Sequence, residues 1–252
     1  MTKRLMNFIA GKFIEPQASG EAKYIPVTDP ATGISFLFFL CPKECKQSLY
    51  SFLLHIFSFI GQEIAQVPCS NENDVGSAVA AGVTAFETWS TTTIKQRTSI
   101  MMKFYSLIVR HSEELSELIV AENGKNYTEA MADIAKGNET VEWACGMSQI
   151  FAGRILEVSR GIECREVRAP LGVVAAIAPF NFPFMVPMWT IPISLMCGNC
   201  VILKPSEKVP MTMQRVIDLF IEAGIPSGVF QVVHGAVEVV NALCGNLRTY
   251  LV

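Results

Sequence analysis

The sequence predicts an α/β fold: a parallel sheet with helices on both faces, preceded by short strands and a block of helices. Three observations predict it. From Leu171 onward, short apolar runs alternate with helical patterns across short links, as in a parallel sheet with right-handed crossovers. The run "LGVVAAIAP" is continuously apolar, as a strand buried on both faces requires. Hydrophobic residues make up 50% of the 252 positions and charged ones 17%, below the ~25% of an average domain, so a large core is affordable.

The elements follow in order. "FIAGKFIEP", "KYIPVTDPATG" and "QEIAQVP" (62–68) read as short strands punctuated by Gly and Pro. Val75, Val79, Val83, Phe86 and Trp89 share one helical face, with Ser70 or Asn71 as its cap. The pattern predicts a long helix over 94–122, with Phe104, Leu107, Ile108, Leu115 and Leu118 inward, ended by "ENGKN", and another over 127–150. "RILEVSRGIECREVRAP" alternates around one Gly and predicts a hairpin at 154–169. After the strand at 171 come a helix at 186–196, strand "CVILKP", a helix at 210–223 closed by Gly224, strand "GVFQVV" and a helix at 236–244. Three parallel strands result, and the last would keep a bare apolar edge.

The expected organisation is 1–33 as N-terminal strands, 34–60 as an atypical apolar insert, 61–246 as one α/β domain carrying the hairpin at 154–169, and 247–252 as a separate tail. Residues 34–60, "ISFLFFLCPKECKQSLYSFLLHIFSFI", fit neither neighbour. Their two apolar blocks are each shorter than the ~18–20 residues that span a bilayer. The segment reads as a buried or disordered insert, as a helix for a membrane surface or a partner, or as translated intron. Codons for Phe, Ser and Leu are rich in pyrimidines, like the tract before a splice acceptor.

A net charge of −3 and a pI near 5.7 argue against a nucleic-acid face. Eight scattered Cys read as reduced thiols rather than a disulfide framework. "MTKRLMNFIAGKF" lacks an apolar h-region and a cleavage site, so no targeting peptide is expected, and the cytoplasm or the mitochondrial matrix is the expected location. "CGNC" (197–200) has no second pair nearby and reads as two packed thiols, not as a metal or redox centre. There is no GxGxxG and no P-loop. "ENGK" (122–125) reads as a solvated helix end.

Two stretches stand out. In "APFNFPF" (178–184), Asn181 is one amide among hydrocarbon. A buried amide without partners costs about 1–3 kcal/mol, so Asn181 is either satisfied by backbone or used on a ligand. "KPSEK" (204–208) follows a buried strand, at the sheet end where open α/β folds bind ligands. Lys204 and Glu207 could hold phosphate or ribose hydroxyls there, or lie in solvent beside a capping Ser206.

At these residues the chain resembles the aldehyde dehydrogenase superfamily. "RAPLGVVAAIAPFNFPFMVPMWTIPI" and "CGNCVILKPSEKVP" carry the resemblance, supported by "NFIAGKF", "TDPATG" and "ENGKNYTEA". "PFNFP", "MVPMW", "KPSEKVP" and "VVHGAVEVVNALCG" point to its CoA-acylating methylmalonate- and malonate-semialdehyde branch, an activity of valine catabolism. The resemblance implies an incomplete Rossmann-like sheet, the N-terminal half of that fold, with 61–246 a partial NAD-binding domain and the 154–169 hairpin belonging to the oligomerisation region. It implies NAD-dependent oxidation in which a cysteine thiolate attacks the aldehyde, hydride passes to nicotinamide, and CoA takes the acyl group from the thioester. Asn181 matches the oxyanion donor. Lys204 and Glu207 match the adenosine-ribose pair. Backbone near Ala178 and Phe180 would line the NAD cleft, and Lys208 stands where the family often has Arg. Lys136, in "DIAKGNE", matches a position that holds the substrate carboxylate with Arg in this branch, although Lys lacks the bidentate fork.

The chain departs from the family in two places. No Cys sits in the family's Gly-Gln/Glu-x-Cys motif, and "LRTYLV" follows "NALCGN" where a glycine-containing NAD loop belongs. The expectation is a catalytically silent, marginally stable polypeptide: a piece of a dehydrogenase, or a truncated paralogue that binds NAD weakly or docks to full-length subunits. The expected partners are a small aldehyde and CoA, with homo-oligomers among full-length members.

Overall fold

Strands β8 (Val173–Ile177) and β9 (Cys200–Lys204) form the centre of the molecule, paired in parallel from Val173–Cys200 to Ile177–Lys204. The computed structural model describes residues 3–17, 23–28, 63–246 and 248–251, so the 34–60 segment and its readings lie outside the described residues. β9 is buried throughout and β8 in all but Ile177, as the apolar runs require. β10 (Phe230–Val232) pairs in parallel with β9, and β11 (Thr249–Leu251) in parallel with β8.

The sheet exceeds the expectation of three parallel strands, because the tail supplies β11. Nor is the edge of β10 bare. The hairpin of β2 (Asn7–Ile9) and β3 (Lys12–Ile14) covers it, with Phe8 antiparallel to Val232. Side chains fix this closure: Asn7 Oδ1 accepts the His234 N–H at 2.9 Å, and Gln231 Oε1 accepts the Ala10 N–H at 3.2 Å. Such bonds between chain ends leave no local pattern to read.

β1 (Lys3–Arg4), β5 (Glu63–Pro68) and β4 (Tyr24–Thr28) make a second sheet in that order around Leu5, Val27, Ala65 and Val67. β6 (Ile155–Ser159) and β7 (Ile162–Arg165) form the predicted hairpin, turning at Gly161 with φ 77°.

Helix α1 (Glu72–Trp89) starts at Asn71, whose side chain accepts the Asn73 and Asp74 N–H groups while Asp74 accepts the Asn71 N–H. The expected long helix is two, α2 (Ile94–Arg110) and α3 (Ser112–Asn123), broken at His111 with ψ 17°. The next also divides, at Gly146, into α4 (Tyr127–Cys145) and α5 (Met147–Ile150). α6 (Met185–Met196), α7 (Met211–Ala223) and α8 (Val237–Gly245) follow the last strands. The break at His111 lets Glu114 accept from Arg215 Nε of α7 at 2.6 Å.

Helices cover both faces. The Phe230 ring lies 4.6 Å from Phe220 of α7, which stacks on Phe104 of α2 at 3.7 Å. The next residue, Gln231, points the opposite way, as strand alternation dictates, and donates to the Ala78 carbonyl of α1 at 2.8 Å. Among the described residues no helix is long and apolar enough to cross a membrane.

Candidate active site

The two loops singled out in the sequence leave adjacent strands at the same sheet end. Loop 178–184 continues β8, and the Ala178 N–H donates to the Lys204 carbonyl at 3.0 Å. Asn123 Nδ2 donates to the Phe180 carbonyl at 2.7 Å, and the Met185 N–H donates to Asp133 Oδ1 at 2.7 Å. Phe184 is buried against Gly137, where a Cβ would come within 2.5 Å of its ring. The loop is therefore pinned on both sides of Asn181.

Asn181 itself is exposed, and no hydrogen bond of its side chain is found among the described residues. The premise of a buried amide is thus corrected. The loop projects beyond the sheet end, so water solvates the amide, which remains free to donate to a ligand.

Lys204 closes β9 and is buried, its Nζ donating to Glu207 Oε2 at 2.8 Å. Burial alone would raise the Glu207 carboxyl, but the hydrogen bond and charge of Lys204 outweigh it and hold the group below its ordinary range. Beneath lies His234, pushed down to about 3 by burial and then by the Lys204 charge, and therefore neutral. Its Nε2 lies 3.0 Å from Gln214 Oε1, which assigns the proton to Nε2 and leaves Nδ1 without a partner among the described residues. Ser206 accepts the Lys208 N–H at 3.3 Å, and the exposed Lys208 Nζ stands 4.8 Å from the centre of the half-exposed Phe180 ring.

Phe180, Glu207 and Lys208 line one cleft of about 590 Å³ together with Thr28, Glu122 and Asn123. Lys136 is elsewhere, on α4 in a groove of about 480 Å³ with Trp143, Met185 and Trp189, its Nζ donating to Glu139 at 2.8 and 2.9 Å. The two hollows share no lining residue, although Met185 directly follows the Asn181 loop. A larger cavity of about 1250 Å³ between α1 and α8 holds none of the candidate residues.

"ENGK" is not a solvated helix end. Glu122 is 2% exposed and accepts the N–H groups of Met211 and Thr212 and the Thr212 hydroxyl. Lys125 donates to the buried Asp133 at 2.8 Å and lies 3.9 Å from the centre of the Phe182 ring. The stretch read as solvated because Glu, Asn and Lys usually are; its position beside the Asn181 loop is tertiary information. The thiols of "CGNC" sit at the end of α6 and the start of β9, and among the described residues no His, Cys, Asp and Glu gather as metal ligands.

Comparison with known proteins gives the family. Residues 55–252 match the aldehyde dehydrogenase family. The chain is 42% identical over 240 residues to malonate-semialdehyde dehydrogenase 1 of Geobacillus thermodenitrificans, covering 95% of this chain and 43% of that protein. Its counterpart in Geobacillus kaustophilus is 41% identical, with 96% and 43% covered. Among solved structures, methylmalonate-semialdehyde dehydrogenase (DddC) of Oceanimonas doudoroffii superposes with a TM-score of 0.83 at 34% identity, covering 99% of this chain and 44% of that one. A putative methylmalonate-semialdehyde dehydrogenase of Sinorhizobium meliloti, complexed with NAD, gives 0.84 at 29% identity, covering 100% and 46%. The chain spans less than half the length of these relatives. Sequence and architecture together show that it belongs to the aldehyde dehydrogenase family.

Proposed function

We propose that these residues form the cofactor half of an NAD-dependent semialdehyde dehydrogenase. Malonate or methylmalonate semialdehyde is the substrate class, and CoA the acyl acceptor of the longer protein. The observation that carries this is the Lys204–Glu207 pair beside the Asn181 loop, at the ends of adjacent parallel strands. The pair fits a ribose. Lys204 has donors beyond the one committed to Glu207, and Glu207 keeps a second oxygen, so adjacent hydroxyls can accept from the first and donate to the second. Bound NAD supplies the hydride acceptor. Phe180 and Lys208 edge the cleft, Ala178 places the loop, and the free Asn181 amide can donate to an oxyanion. A substrate carboxylate at Lys136 competes with the exposed Glu139 pair, which is worth at most ~1 kcal/mol.

Turnover by the 252 residues alone is not expected. No Cys follows the family's Gly-Gln/Glu-x-Cys pattern, and burial raises the thiols of Cys69, Cys145, Cys197 and Cys200, the last to about 12, the reverse of what a nucleophilic thiolate needs. Calorimetric titration with NAD tests the reading, beside an NADH assay with either semialdehyde and CoA. Saturable binding that Lys204→Ala weakens about tenfold, with no NADH formed, is the expected outcome. Equal binding by both proteins overturns the cofactor site. An NADH rate that survives removal of contaminating enzyme overturns the silence.

A second reading is favoured by the hairpin β6–β7, with Ile155 68% and Ile162 59% exposed: the chain docks to full-length subunits. Co-sedimentation with a full-length relative, lost on Leu156→Glu, supports docking; independent sedimentation rejects it.

A further inference from the structure

Each ligand loop is followed directly by a helix without a cap of its own. Phe184 stands at the N-cap position of α6 and Pro210 at that of α7, and neither side chain accepts a hydrogen bond. The first N–H groups of a helix have no partner inside it, and a Ser, Thr, Asp or Asn at the cap ordinarily supplies one. Here the acceptors come from one distant corner. Asp133 of α4 takes the Met185 N–H of α6 at 2.7 Å. Glu122 of α3 takes the Met211 and Thr212 N–H groups of α7 at 2.5 and 2.9 Å. Asn123 and Lys125, from the same corner, hold the Phe180 carbonyl and cover the Phe182 ring.

We propose that Glu122 and Asp133 are positioning residues, two buried carboxylates that set loops 204–210 and 178–184 relative to each other for the cofactor. The inference rests on the cofactor reading above. A local cap fixes a helix start only against its own loop. A remote carboxylate fixes it against the α3–α4 corner, and one corner serves both loops. The arrangement is costly, which argues that it does more than start a helix. Glu122 is buried without a cation among its hydrogen-bond partners, and burial, against the opposing hydrogen bonds of Thr212 and Met211, pushes its carboxyl up to about 7.

The test measures amide exchange and NAD affinity on the full 252-residue chain and on Glu122→Ala, Glu122→Gln and Asp133→Asn. Glu122→Ala is expected to speed exchange at 204–212 at least tenfold and to weaken NAD about tenfold. Glu122→Gln keeps one acceptor oxygen and restores part of both. Asp133→Asn speeds exchange at Met185 and leaves Met211 and Thr212 unchanged. If Glu122→Ala loosens everywhere, it has failed to fold, and Glu122→Gln alone gives the answer. Faster exchange with unchanged NAD affinity overturns the proposal, leaving a cap that only holds a helix. If the parent chain binds no NAD, the cofactor reading fails. The positioning role proposed for the cofactor falls with it, whereas NAD binding by the parent chain that Glu122→Ala and Glu122→Gln leave unchanged overturns the proposal alone.

Discussion

β9 and the hairpin β6–β7 are both rich in branched aliphatic residues, yet they have opposite fates. All of "CVILK" is buried, and every residue of "ILEVS" and "IECR" is exposed. β9 has strands on both edges and helices on both faces, whereas each hairpin strand has only the other. Apolar content therefore does not place a strand inside; the neighbours do. A two-stranded hairpin is marginal by itself, which makes β6–β7 the part of this molecule most dependent on what covers it.

A buried charge breaks this contrast most sharply. Ile202→Asp is expected to cost more than about 4 kcal/mol and abolish soluble folding, while Val158→Asp stays within about 0.5 kcal/mol of the parent. Urea melts of both variants check it, and equal losses would erase the distinction.

Gly137→Ala tests how tightly the loop beside the central strands is seated. The added methyl meets the Phe184 ring at 2.5 Å and Met185 Cα at 3.2 Å, so ~1–3 kcal/mol should be lost. An unchanged melt would show that Phe184 can move aside.

Two buried groups give the central region a pH response. The Glu122 pKa is raised to about 7, so its contribution to stability is full below the ordinary carboxyl value and is lost as pH rises through about 7. The His234 pKa is lowered to about 3, so its contribution is present above about 6.5 and is lost as pH falls. Asp133 faces Glu122, and Glu207 and Lys208 line the same cleft. Glu122→Gln should gain stability relative to the parent as pH rises from 5 to 8. Urea midpoints across that range check this, and a constant difference between the two proteins would contradict it.

The smallest effect is Asn71→Ala, at about 1 kcal/mol for a lost cap on α1, read from the shift of a thermal melt.

The sequence disclosed those elements whose neighbours are close in the chain. The runs of β8 and β9, the hairpin around Gly161 and the end of α7 at Gly224, with φ 92°, all follow local rules. Lys204 and Glu207 were legible because the strand before them was. The split at His111 was not, because Phe104, Leu107, Ile108 and Leu115 keep helical spacing across it, and only packing against Arg215 shows the turn. Glu122 and Asp133 were missed for the same reason: their partners lie 89 and 52 positions away. The tail departs from the family motif, yet "TYL" is an ordinary strand sequence and pairs with β8.

The closure of β10 by the N-terminal hairpin has a consequence during synthesis. Asn7 meets His234 across 227 positions, so β2 must wait until β10 has been synthesised. At roughly 5–20 residues per second that delay is about 10–45 s. During it Phe8 and Ile9 have no β10 edge to join, and a chaperone that shields short apolar segments has that interval in which to bind them.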